Sequence, residues 1–338
     1  LSPLIIYLSE MRIWIFAGLA SCLLLLSCNN EFDLETRGDP VPVVYCLLNP
    51  DGHVQYVRLG RSFLPDPKNP EAPPVADSTI WNLPVEVYME EWMAGRPART
   101  IFFEPIEAPV KDTGFFPTEG LRVYSAHFSP TILTTYRLYV HFPDDQRILS
   151  ATTNVPGWPI IYDPMEIPGR RINFQSGLSY TIRWLSAENA GIYQGFFDLY
   201  YEEDFEGNQE LHQITISSDP ALYLASSNED LQRTLNGERF FDQILRDVPV
   251  REGAVRRVVN LRFRFYTGGE ELGLYVSPEL QPTTIANNLN LYTNFDNGIG
   301  LFSTLQVTYV NNLQLSSTTL DQLANGSQTG HLGFVDSQ

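Results

Sequence analysis

The sequence predicts an all-β protein built as two domains, and three observations lead there. Apolar and polar residues alternate with a period of two along many short segments. Clusters of Gly, Pro, Asn and Asp separate those segments, and hardly any stretch carries the 3.6-residue period of an amphipathic helix. Short strands between turn signals argue an N-terminal β-sandwich of the immunoglobulin or transthyretin type, followed by a second, mainly antiparallel β domain with one or two short helices.

Ahead of any strand stand Met11 and Arg12, an apolar run from Ile13 to Leu26, then Ser27 and Cys28. A positive start, an apolar segment shorter than the roughly 20 residues that span a bilayer, and a small residue before the cut describe a secretory signal. Residues 1–27 read as that signal, with 1–10 as an upstream extension. Leu25, Leu26, Ser27 and Cys28 resemble the bacterial lipobox, and the resemblance implies a lipid on the Cys28 sulfur. Residues 28–40 then form a polar tether. Its acids Glu31, Asp33 and Glu35 resemble the surface-export signals of Bacteroidota lipoproteins, which implies a lipid-anchored protein of the outer membrane exposed at the cell surface; an ordinary solvated linker, which leaves the leaflet open, is the alternative.

The chain carries 22 Lys and Arg against 40 Asp and Glu, a net charge of −18. The leader holds one charge of each sign, Arg12 and Glu10, so its removal leaves that balance unchanged. A chain this acidic repels polyanions, which argues against nucleic acid as a partner. Of the three cysteines, Cys22 falls in the leader and Cys28 is the lipidation candidate. Cys46 lies in the apolar run Val43 to Leu48 and reads as a small buried hydrophobe.

The first domain, residues 41–157, opens with that run, expected as a strand buried on both faces, and turns at Asn49 to Gly52. The next strand, His53 to Phe63, changes phase between Tyr56 and Val57, as a β-bulge requires. The proline-rich stretch Leu64 to Pro84 is expected as a long irregular loop. Strand alternation resumes at Val85, Val87 and Met89 and again at Ile101 to Glu104. It is cleanest at Tyr136, Leu138, Val140 and Phe142, which Asp144 and Asp145 turn into Arg147 to Thr153. Val155 to Pro159 reads as the domain boundary.

The second domain, residues 158–338, alternates at Tyr180, Ile182 and Trp184, at Phe197, Leu199 and Tyr201, and at Ile214 and Ile216. Ser226 and Glu229 have capping-box spacing and Gly237 supplies a stop, so a short helix is expected between them. Val259, Leu261, Phe263 and Phe265 alternate, Gly268 and Gly269 suggest a turn, and Leu272, Leu274 and Val276 are expected to return as the hairpin partner. Leu301 to Tyr309 gives a last long strand. Thr318 to Asn325 reads as a helical turn or two closed by Gly326, and Ser327 to Gln338 is expected to fray.

Candidate chemistry is sparse. The five histidines lack metal-ligand spacing; His127 and His141 would meet only if their strands lay side by side, and a satisfied surface or core histidine is the alternative. No serine or cysteine sits in a nucleophile context, and no metal or cofactor is expected. The run Glu202, Glu203, Asp204 and Glu206 lacks the alternation of a calcium loop and reads as a solvated hairpin tip. Arg262 and Arg264 project from one face of one strand, a candidate partner surface within an acidic chain, with cross-strand acids as the alternative. Trp81 and Trp92, like Trp158, stand in or near loops, where aromatic rings stack on ligands or close a core. Asn297 and Gly298 suit a turn at positive φ, Gly300 permits close backbone approach, and Leu301 and Phe302 begin the strand.

Several of these stretches carry a resemblance. Val43 to Asn49, Tyr56 to Phe63, Gly114 to Phe116, Tyr136 to His141 and above all Tyr292 to Ser303 resemble a Bacteroidota lipoprotein family known as domain of unknown function 4249. Members of such families tend to be encoded beside TonB-dependent outer-membrane receptors. The resemblance therefore implies a non-enzymatic surface partner of a TonB-dependent transporter and supplies no catalytic residues. The alternatives are an adhesive or structural surface module without a small ligand, or a hydrolase of carbohydrate or peptide whose carboxylates meet only on folding.

Overall fold

The computed structural model describes residues 41–62, 81, 84–107, 122–144, 146–222, 228–277 and 292–336. The leader, Cys28, the tether, nearly all of the proline-rich stretch, Gly114 to Phe116 and Ser226 lie outside the described residues.

Period-two alternation becomes seven strands in the first lobe: β1 (Pro42–Leu48), β2 (Val54–Arg61), β3 (Glu86–Met93), β4 (Arg96–Glu107), β5 (Arg122–His127), β6 (Thr135–Phe142) and β7 (Arg147–Asn154). The second lobe adds β8 (Ile160–Asp163), β9 (Ser179–Leu185), β10 (Ala190–Phe205), β11 (Asn208–Ser217), β12 (Ala221–Leu222) and β13 (Asp230–Asn236). Helix α1 (Gly237–Asp247), β14 (Val255–Gly269), α2 (Glu270–Val276), β15 (Ile299–Leu313) and α3 (Ser317–Asn325) complete it. The protein is thus mostly β with short helices, and sandwich-like.

Among the described residues one sheet runs through both lobes in the order β11-β10-β14-β15-β1-β2-β5-β4-β3-β6-β7, with β12 beside β10; β13-β9-β8 form a second sheet. The long sheet turns back on itself through β4, whose first part pairs with β3 and whose last residues pair with β5. That turn brings Val44, Cys46, Val57 and Leu59 into one core with Val87, Leu138, Val140 and Leu149. In the second lobe the inward faces of β10, β11 and β14 meet Ile182 and Trp184 of β9, Leu235 of β13, and the helix residues Phe240, Ile244, Leu320 and Leu323. Phe295 and Phe302, late in the chain, pack into the first core. Strand β15 reaches both lobes because its start pairs in parallel with β1 and its remainder pairs antiparallel with β14.

Several expectations are corrected. The expected bulge in β2 is absent, since its register with β5 is unbroken from Val54 to Leu59. Gln55 takes the inward position instead, and its amide bonds Asn49, Gly52 and Phe128 backbone, so a buried polar group keeps the alternation. Strand β1 is buried chiefly on one face, with Leu47 exposed.

Residues 230–236 form β13 against β9, and the helix follows. Gly237 is its first residue, Asn236 its cap through a bond from the Glu238 N–H, and Phe240, Phe241 and Ile244 supply the buried stripe. Residues 270–276 form α2 rather than a hairpin strand, and β14 pairs with β10 and β15. The C-terminal segment is held rather than frayed: Leu332 and Phe334 are buried, and Arg256 and Val335 donate their backbone N–H groups to Gly333 and Arg256.

Histidines 127 and 141 do not meet, because β4 and β3 lie between their strands; His141 bonds Glu86. Cys46 is buried, and burial pushes its thiol well up.

Candidate functional site

Alternation places Phe197, Leu199 and Tyr201 of β10 in the core and turns Phe196, Asp198 and Tyr200 to the opposite face. On β14 the same rule buries Leu261, Phe263 and Phe265 and turns out Arg262, Arg264 and Tyr266. The register sets Asp198 opposite Arg262 and Phe196 opposite Arg264. Near the start of β14 a register shift leaves Val259 exposed and Val258 buried, which corrects the expected inward Val259.

Arg262 and Arg264 therefore share one carboxylate. Arg264 donates from Nε to Asp198 Oδ2 at 2.6 Å and from Nη2 to Oδ1 at 2.7 Å. Arg262 donates from Nε and Nη2 to Oδ2 at 3.2 and 3.0 Å, and Thr215 Oγ1 donates to Oδ1 at 2.7 Å. Asp198 is fully covered by these partners, whereas the Arg262 and Arg264 side chains remain 31% and 19% exposed. Burial pushes the Asp198 carboxyl up, but the hydrogen bonds from Arg264, Thr215 and Arg262 outweigh it and hold the group below the usual carboxylate range. Two guanidiniums against one carboxylate leave one excess positive charge.

Aromatic rings frame that charge. The Arg262 guanidinium lies 5.3 Å from the Tyr200 ring and 5.6 Å from Tyr309, and Arg264 lies 5.4 Å from Phe196 and 5.8 Å from Tyr266. Phe196 and Tyr266 then continue into an apolar groove of about 190 Å³, completed by Ile192, Gln194, Gly268, Leu272, Val276 and Leu305. Helix α2 supplies one wall. It can lie this close because Gly273 faces Gly191: a Cβ on Gly273 would sit 2.8 Å from the Gly191 carbonyl oxygen.

Trp92 stands elsewhere, on the outer face of β3. Its indole N–H donates to Glu90, and the Arg137 guanidinium sits 3.8 Å from its ring. Both line an open cavity of about 290 Å³ with Thr135, Leu133 and the β3–β4 turn. Trp81 is buried in the first core, edge-on to Phe142 at 4.8 Å, and Trp158 is exposed. The acidic tip of β10 divides: Glu206 and Gly207 turn at positive φ, while Glu203 is buried against Arg256 and Arg251.

The segment Tyr292 to Phe302 is a seam. Asp296 donates its N–H to Ser150 and Asn297 its side-chain amide to Ile148, closing the free edge of β7, while Asn294 both donates to and accepts from Phe302. Asn297 sits at φ 62°. Gly300, at φ 142°, lies against β1, where a Cβ would stand 1.7 Å from the Val44 carbonyl oxygen. Gly298 faces the Leu149 side chain, and Phe302 is buried.

Near this seam Glu271 of α2 accepts from Thr153 Oγ1 of β7 at 2.8 Å and from Ser303 Oγ of β15 at 3.2 Å. Burial pushes its carboxyl above the usual range despite those bonds, and Glu270 adds to the rise. A folded-state pKa above the unfolded value of about 4.3 means the fold favours the neutral acid. The resulting cost sets in as pH rises past the unfolded value and is complete above the folded one. Glu271→Gln should therefore melt higher than the parent at pH 7, with the gap closing toward pH 4; equal melting temperatures at both pH values would contradict this.

Asp198 and the groove were the features the sequence reading missed. The one local signal for Asp198 is a lone acid between Phe197 and Leu199, and its meaning depends on a register set by a strand some 60 residues away. Among the described residues, no three His, Cys, Asp or Glu side chains group as for a metal ion, and no helix is long and apolar enough to cross a membrane.

The solved structures that align with this chain include CBD12 from CALX1.2 and calcium binding domain CBD12 of CALX1.1. Each alignment covers 78% of this chain and 98% of the other, at 8% and 9% identity. Their TM-scores of 0.17 and 0.15 are too low to support any argument from the likeness. No curated protein matches the chain. A protein family does match, over residues 29–309, so this chain, with its sheet shared by two lobes and its seam at Tyr292 to Phe302, belongs to the family described as domain of unknown function (DUF4249).

Proposed function

We propose that this protein is a non-enzymatic, lipid-anchored binding protein of the outer membrane, working beside a TonB-dependent transporter. The observation that carries the reading is the stretch Arg12 to Cys28, a leader ending in a lipobox-like cysteine directly before the family match begins at Asn29. The resemblance to Bacteroidota lipoproteins supports the transporter as partner. Three acids support binding over hydrolysis, because Asp198 and Glu203 are each held ionised by two arginines and Glu91 by Tyr136, Thr131 and Arg99. A general acid needs the opposite shift, which Glu271 has, but its carboxyl is engaged by the Thr153 and Ser303 hydroxyls.

Mass spectrometry of the native protein should find an acylated N-terminal Cys28, and Cys28→Ala should move the protein from the membrane to the soluble envelope fraction. Affinity purification from intact membranes should recover an outer-membrane receptor. An unmodified thiol at Cys28 or an attached leader would remove the anchor, and a receptor-free pull-down with normal nutrient uptake on deletion would remove the role.

A second reading, an adhesive surface module without a small ligand, is favoured by the size of the cavities. Of the two cavities described above, the groove beside Arg264, at about 190 Å³, falls below the roughly 300–1,000 Å³ that encloses a drug-sized molecule, and the open one beside Trp92, at about 290 Å³, only reaches its lower end. Loss of surface attachment with normal uptake on deletion would select it.

A further inference from the structure

We propose that the outer face of β10 and β14 binds a small amphiphilic monoanion, its carboxylate on the exposed side of Arg262 and Arg264 and its short apolar segment in the adjoining groove under α2. This goes beyond the anchoring and transporter reading and stands whether or not that reading holds.

Charge selects the head group. Asp198 neutralises only one of the two guanidiniums, and all the bonds from Arg262 to Asp198 come from Nε and Nη2, leaving the Nη1 edge of a partly exposed side chain to point elsewhere. Carboxylates match that fork through charge-assisted hydrogen bonds. The net charge of −18 selects against polyanions, so a ligand with one negative charge fits where a multiply charged one is repelled.

Continuity selects the tail. Phe196 and Tyr266 touch Arg264 on one side and line the groove on the other, and the Tyr266 hydroxyl accepts from Arg264 Nη1 at 3.0 Å. The charged patch and the apolar wall thus meet within one side chain's length. A groove of about 190 Å³ takes a short acyl segment rather than a drug-sized ligand. The site is also preorganised, since Asp198, itself fixed by the Thr215 hydroxyl, holds the guanidiniums before any ligand arrives.

Octanoate below its micelle concentration is the probe, titrated calorimetrically into the full chain beside acetate, which lacks the tail, and octanol, which lacks the charge. Octanoate should bind saturably at one site, at least tenfold more tightly than either. Arg262→Gln, at a partly exposed side chain, should weaken octanoate at least tenfold and leave octanol unchanged. Val276→Glu, at the exposed groove rim, should weaken both, with thermal melts confirming that each variant folds. Octanoate no tighter than acetate, or affinity indifferent to both variants, would overturn the proposal. So would an acidic, phenylalanine-containing peptide that binds this face and is not displaced by octanoate.

Discussion

Glu203→Leu should destabilise the protein by about 3–5 kcal/mol, the usual consequence of leaving one member of a buried ion pair uncompensated. Arg256 is fully buried, Glu203 is 3% exposed, and Arg256 donates to Glu203 Oε2 from Nε at 2.8 Å and from Nη2 at 2.5 Å. Without the carboxylate, a guanidinium shut away from water would keep, among the described residues, the Leu332 and Pro249 carbonyl oxygens as acceptors. Chemical denaturation monitored by tryptophan fluorescence measures the loss.

The double variant Glu203→Leu with Arg256→Met separates charge from packing. It should recover most of the single variant's loss, since apolar replacement of a whole buried pair is often neutral or stabilising. A double variant as unstable as the single one would show that the pair acts through shape alone. Acid dependence gives a second readout. Burial pushes the Glu203 carboxyl up, but hydrogen bonds and charge from Arg256 and Arg251 outweigh it, so its folded-state pKa is depressed. Its contribution is present above the unfolded value of about 4.3 and is lost as pH falls through the folded value. Glu203→Leu should remove that part of the acid-induced loss of stability.

Gly300→Ala should cost about 3 kcal/mol or more, combining a backbone conformation open essentially to glycine with a clash that rotamer changes cannot relieve. The φ of 142° is unfavourable for an L-residue, and the added carbon would stand 1.7 Å from the Val44 carbonyl oxygen within the β1–β15 pairing. Gly298→Ala is the control. There the nearest atom, at 2.4 Å, is the end of the Leu149 side chain, which can rotate away, so its cost should be nearer 1–2 kcal/mol. Hydrogen exchange should show β1 losing protection in Gly300→Ala and keeping most of it in Gly298→Ala. Equal costs would mean that the close approach of β1 and β15 does not govern the seam.

The inward faces of the strands were legible because burial on a pleated sheet repeats every two residues. Leu138, Val140, Phe142, Phe197, Leu199 and Ile216 are all buried where alternation puts them. Helix α3 was legible for a similar local reason, and Gly326 caps it. The reading failed where a local pattern had two interpretations. Leu272, Leu274 and Val276 alternate as a strand would, yet the segment is helical and lies against β10 through Gly191 and Gly273. Gly237 resembles a helix stop but opens one, since Asn236 caps the turn that follows.

By itself the sequence determined the all-β class, the core-facing side of most strands and the acidic balance of the chain, because alternation and charge are read directly from the residues. Only the tertiary structure decided that β1 pairs with β15 across some 250 residues, that the seam closes the edge of β7, and that Asp198 lies between Arg262 and Arg264 beside a groove roofed by α2. Each of these depends on strand register, and register is settled by which distant strand offers the matching edge and buries the larger shared face.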